Sequence, residues 1–197
     1  MIYLLLDSAN PNLSVGLKKG SKLIDKISYQ CEKRHSEYMV VEIDKLLKRN
    51  HIKMKQINGV VVSIGPGSYT GIRIALTIAK VMSLALKIPL YPLSTLEANK
   101  VINANSIVLF NARSGRSYIA SFNKNKRLLK DQVMDNEDVK KYIKSHPNYI
   151  LVGDLGYLGY QGKESDVLTN MAVLMEKIKP IKNPNLVKPV YLKESYL

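Results

Sequence analysis

The chain has 197 residues, of which 46% are apolar and 23% charged, a balance that excludes a disordered chain and predicts one large domain or two small ones. Lys and Arg number 30 against 16 Asp and Glu, a formal net charge of +14. The single cysteine, Cys31, excludes an internal disulfide and fits a reducing compartment.

The charge has no focus along the chain. Residues 1–100 hold 15 basic and 7 acidic residues (net +8), and residues 101–197 hold 15 and 9 (net +6). Most of the cations are Lys, a point charge, while Arg is the usual bidentate reader of phosphates and bases. Aromatic residues are 7% and do not interleave with Arg. This composition predicts a solvated Lys-rich surface ahead of a dedicated nucleic-acid reader. The apolar run at Met1–Asp7 lacks the basic leader and cleavage site of a signal peptide. No apolar stretch reaches the roughly 20 residues of a membrane helix. A cytoplasmic protein with no membrane contact is therefore expected.

Ile2–Leu6 is continuously apolar and reads as a buried strand. Leu13, Val15 and Leu17 alternate with polar residues, and so does Leu23–Tyr29; the three strands form an antiparallel meander. Ser36 is the expected cap of a helix running to Asn50, with Met39, Ile43 and Leu47 on its apolar stripe. Gly59–Ile64 reads as a central strand covered on both faces. A glycine loop, Gly65-Pro66-Gly67-Ser68-Tyr69-Thr70-Gly71, leads into a helix at Ile72–Leu86. That helix is apolar almost all round, so it needs a second cover besides the sheet. Pro89–Pro92 is a short strand.

After residue 100 the pattern restarts. Strands are predicted at Ser106–Phe110, Ser117–Phe122 and near Leu128–Val133. A short helix at Asn136–Lys144, a strand at Tyr149–Val152 and a helix at Glu164–Lys177 follow. Strand–strand–strand–helix–strand–helix thus occurs twice, which predicts two α/β lobes, 1–100 and 101–197.

A strand, a glycine loop and a helix N-terminus together suit an anion. Yet there is no Gly-Lys-Ser/Thr, and the G-x-G-x-x-x-G spacing is one residue too long for a dinucleotide fingerprint. Two readings stay open: a ligand cradle, or glycines that permit a tight turn and close packing. Arg73, just inside the helix, is either an anchor for the loop through carboxylates or carbonyls or a surface residue. The three histidines, His35, His51 and His146, share no ligand spacing, so no metal site and no cofactor is predicted.

The string GPGSYTGIR on the strand VVVSI, followed by KIPLYPLSTLEA, resembles the TsaB (YeaZ) family. The resemblance extends to Asp7, to Arg34-His35-Ser36-Glu37, to Asn111-Ala112-Arg113 with Tyr118, and to Pro189-Val190-Tyr191-Leu192. It implies two actin-like (ribonuclease H-like) lobes, each a mixed sheet of about five strands with flanking helices. It also implies a non-catalytic subunit for making N6-threonylcarbamoyladenosine (t6A) at position 37 of tRNAs that read ANN codons. The implied partners are the catalytic TsaD subunit, the ATPase TsaE, tRNA through the complex, and a second copy when TsaD is absent. Catalytic relatives carry a His-x-x-x-His metal pair after the glycine-loop helix; here that stretch reads Thr95-Leu96-Glu97-Ala98-Asn99. Expected site residues are the loop (Gly65, Pro66, Gly67, Ser68, Thr70, Gly71, Arg73) and an outward docking face (Met39, Ile43, Leu47, Ile74, Ile78, Met82). The alternative is an actin-fold phosphotransferase or glycopeptidase-like hydrolase acting by itself, with Asp7 and Asp154 as nominees.

Overall fold

A computed structural model describes residues 1–31 and 34–192. The expected lobes 1–100 and 101–197 therefore each include a few positions outside the described residues. Strands β1 (Ile2–Asp7), β2 (Asn12–Lys19) and β3 (Lys22–Gln30) are followed by helix α1 (His35–Arg49), β4 (Ile57–Ser63), α2 (Tyr69–Leu86), β5 (Leu90–Leu93) and the short α3 (Thr95–Ala98). The second set is β6 (Ser106–Arg113), β7 (Arg116–Asn123), β8 (Lys126–Asp135), α4 (Asn136–Lys144), β9 (Ile150–Val152) and α5 (Val167–Leu174).

Two mixed sheets result, ordered β3-β2-β1-β4-β5 and β8-β7-β6-β9. The meander is antiparallel, with Leu4 opposite Leu17. β4 then joins β1 in parallel, with Leu5 opposite Val61. Parallel neighbours need a crossover, and α1 supplies it. The second sheet repeats the scheme: β9 lies parallel to β6, with Val108 opposite Val152. It has four strands where about five were expected.

Both faces of the first sheet are covered. Leu4, Leu6, Val15 and Val62 point into a core shared with Met39, Ile43 and Leu46 of α1 and Ala75 and Ala79 of α2. Leu5 and Val61, one residue out of phase, meet Leu168, Met171 and Ala172 of α5. The boundary expected at residue 100 thus needs correction. It separates the sheets, but α5 returns from the far end of the chain to roof the back of the first one. Lys18 ties it there: its fully buried ammonium donates to the Ala172 carbonyl at 2.8 Å and to Glu176 at 2.6 Å. A buried lysine is tolerated only when paired in this way.

At 18 residues α2 reaches the length and hydropathy of a short membrane span, against expectation. Ile72, Ala75, Leu76, Ala79 and Ser83 are nevertheless buried against the first sheet, so it packs as a core helix.

Candidate functional site

The glycine loop leaves the end of β4 and turns into α2. Its peptide Gly65–Pro66 is cis. Thr95 clamps Gly65 twice, accepting from its N–H at 3.1 Å through Oγ1 and donating to its carbonyl at 2.9 Å. Ser68 is the helix cap: its Oγ accepts from Gly71 N–H at 3.2 Å, and its own N–H donates to Ala9 O at 2.8 Å. The residues after β1 are pressed into the loop. A side chain at Gly67, which has φ +155°, would lie 2.4 Å from Ala9 O, and one at Gly71 1.8 Å from Ser8 O. Ser8 Oγ also donates to Gly71 O at 2.7 Å. Between the two readings left open, these contacts favour packing: the space a Cβ would fill at each glycine holds the chain's own carbonyls.

Asp7 sits beneath this knot, essentially without solvent contact. Ser63 Oγ and Ala9 N–H donate to it. Burial pushes its carboxyl above the ordinary 3.8, and those hydrogen bonds and the His35 charge only oppose this. A raised acid pKa means that the folded state prefers the proton. The ionised form therefore costs stability as pH rises through the folded pKa, and the cost vanishes below 3.8. Asp7→Asn should stabilise the protein at pH 7, with the gain shrinking toward zero by about pH 4. Urea unfolding of both forms between pH 4 and 8 checks this; a constant difference across that range contradicts it. Among the described residues no three His, Cys, Asp or Glu side chains converge on one point.

Pro66 is buried, whereas Ser68, Thr70 and Arg73 are exposed. Among the described residues Arg73 finds neither a carboxylate nor a loop carbonyl, which favours the surface reading of the two left open. Its guanidinium lies 4.2 Å from the centre of the Tyr69 ring, and Nε donates to the Tyr191 hydroxyl at 2.8 Å. The two tyrosines stack at 4.8 Å. The tail is fastened further by Val190 N–H to Ile64 O at 2.7 Å. Arg73→Lys keeps the charge but loses the planar stack and the fixed geometry. The unfolding free energy should stay within about 1 kcal/mol of wild type. Hydrogen exchange at Tyr191 and its neighbours should accelerate, and unchanged exchange would contradict the tail-anchor role.

α1 and α2 lie side by side with an open groove of about 470 Å³ between them, lined by Ser36 and Val40 of α1 and Tyr69, Thr70, Arg73, Ile74, Thr77 and Ile78 of α2. Of the expected docking face, Ile74, Ile78 and Met82 are half-buried. Met39, Ile43 and Leu47 are not on it: at 0%, 2% and 4% exposure they belong to the core. The helical stripe that made them conspicuous is the stripe the sheet takes. Outward apolar residues of the two helices are instead Val40 (57% exposed), Val81 (60%) and Leu84 (52%), together with Val41 and Tyr69. Off-stripe β-branched residues on an otherwise polar helix face were the available signal for Val40. The cap of α1 is Arg34, not Ser36.

The second lobe meets α3 through charge. Glu97 receives Arg127 at 2.7 Å and Lys100 at 3.4 Å, and Ser94 Oγ donates to Asp131 at 2.5 Å. Burial holds the Lys100 ammonium below its usual pKa. Asn111 closes the β6–β7 hairpin by accepting from Arg113 N–H at 2.7 Å.

The family model of TsaD, tRNA N6-adenosine threonylcarbamoyltransferase, matches residues 28–148. The TsaB protein of Buchnera aphidicola subsp. Schizaphis graminum is 34% identical over 165 residues, covering 78% of each chain. The chain belongs to the TsaB family. Its Bacillus subtilis relative in that family is 30% identical over 143 residues, 71% of this chain and 62% of the other. Both relatives are named as tRNA threonylcarbamoyladenosine biosynthesis proteins. YeaZ from Pseudomonas aeruginosa shares the fold at a TM-score of 0.78 and 18% identity, covering 97% of this chain and 99% of that one. The TsaB family thus accounts for the two mixed sheets.

Proposed function

We propose that this chain is a non-catalytic, cytoplasmic scaffold of the t6A-forming complex, docking the TsaD subunit on the outer face of α1 and α2 and supporting assembly with TsaE. One observation carries this reading: α2, covered by the sheet on one side, leaves Val81 and Leu84 in water beside an open groove. Soluble domains seldom leave such faces bare without a partner. A central apolar strip with Arg73 and Lys80 at its edge is built like an interface core and rim. The glycine loop supports the same division of labour, because it is packed by backbone and α3 carries no His pair. The self-acting phosphotransferase or hydrolase has less support, since Asp7 is buried and held by Ser63.

Reconstitution tests the proposal. TsaD, TsaE and a threonylcarbamoyl-adenylate source are assayed for tRNA modification with and without this chain. A clear dependence is expected, and equal modification overturns the scaffold role. Turnover of ATP or peptide by the isolated chain would favour the enzyme instead.

A further inference from the structure

The excess positive charge, even along the sequence, is uneven in space. One end of the first sheet is where β1 and β4 begin, where β2 turns into β3 and where α2 hands over to β5. Lys19 pairs with Ile2 across β1 and with Lys22 across the turn. Lys53 caps the 3-10 turn that precedes Ile57, itself paired with Ile2, and Lys55 lies within that turn. Lys87 ends α2, three residues before β5. The strap after α5 then pairs Ile181 with Leu90 at 2.8 and 3.0 Å, setting Lys182 at the start of β5.

All six lysines are exposed. None of them enters an ion pair among the described residues. The carboxylates on the neighbouring strand and strap are already spent: Asp25 on Arg49 and Glu176 on Lys18. At about 4.8 Å per strand, the row from β3 to the strap spans about 24 Å. Its width comes from register and crossover, so it is invisible to a count along the chain.

We infer that this lysine row is a direct contact surface for the phosphate backbone of RNA. Lys acts as a point charge and suits phosphates more than base edges, so binding is independent of sequence and sensitive to salt. The row uses none of the docking residues. The inference rests on the family's place in tRNA modification, not on the docking proposal.

The test measures binding of a labelled tRNA to the intact chain, alone, by fluorescence anisotropy at 50–200 mM salt. The triple variant K19E/K55E/K182E is compared with K124E/K126E/K144E, which carries the same charge change on exposed lysines of the second lobe. Circular dichroism checks that both are folded. The first triple should weaken binding at least about tenfold and flatten the log–log salt slope by about 2–3. The second should change affinity less than about threefold. Equal losses overturn the inference, because net charge alone then suffices. Unchanged RNA binding also overturns it; if such a triple instead weakens capture of TsaD, the row serves an acidic protein. Because TsaD is absent from the binding measurement, failure here leaves the docking proposal standing, and failure of docking leaves this result intact.

Discussion

Gly71→Ala is expected to cost at least about 3 kcal/mol, enough to deplete the folded protein at 37 °C. The added methyl would sit 1.8 Å from the Ser8 carbonyl oxygen, well inside any permitted contact. That oxygen is backbone, on the turn leaving β1, so no rotamer change relieves the clash. The turn and the start of α2 must separate, which breaks the Ser8 Oγ to Gly71 O bond and the Ser68 N–H to Ala9 O bond together. Gly20 is the control. It has φ +58° but nothing within 4 Å of the position a Cβ would take. Gly20→Ala should therefore cost only the left-handed penalty, about 1–2 kcal/mol. Urea unfolding at pH 7 separates the two. A Gly71→Ala loss no larger than that of Gly20→Ala would mean that the loop yields, and the packing account of its glycines would fail.

Val81→Glu combined with Val40→Glu should raise the Kd for TsaD at least about 30-fold, the equivalent of about 2 kcal/mol. Two carboxylates would have to be desolvated at the middle of the proposed interface. Both sites are mostly in water in the free chain, so the thermal midpoint should move by no more than about 3 °C. Met39→Ala should do the reverse: it loses about 2–4 kcal/mol of stability through a core cavity, while the remaining folded molecules bind TsaD normally. Size-exclusion and calorimetry on the same three proteins provide the check. A double variant that still co-elutes with TsaD at wild-type affinity would sink the docking proposal, and lost self-association in its place would identify a homodimer face.

Strands and helices were largely legible because their periods are local. Alternation at Leu13, Val15 and Leu17 fixed β2, and β-branched continuity fixed β4. Asn136–Lys144 was legible to the residue. Two features were not, for separate physical reasons. Apolar periodicity identifies the face of a helix that is most strongly driven inward, so it singled out Met39, Ile43 and Leu47, whereas a partner face is made from what is left over. The sheet that a late helix packs on is a long-range choice. Val167, Leu168 and Met171 mark α5 as a helix to be buried, but nothing near them says that Leu5 and Val61 await it. The glycine loop falls between these cases: its glycines were conspicuous, but only the approach of Ser8 and Ala9 assigns them to packing.

The return of α5 limits how this chain can be made smaller. This late helix is the back wall of the first structure to be synthesised, with Lys18 held by Ala172 and Glu176. Cutting from the C-terminus would strip the first sheet before it trimmed the second. Economy of length has to come from the interior, around the β7–β8 hairpin and the α4–β9 region, while both ends stay fixed. A truncated 1–100 fragment would be half a sandwich with its greasy side open, and the two lobes, although they repeat one pattern, are not two modules.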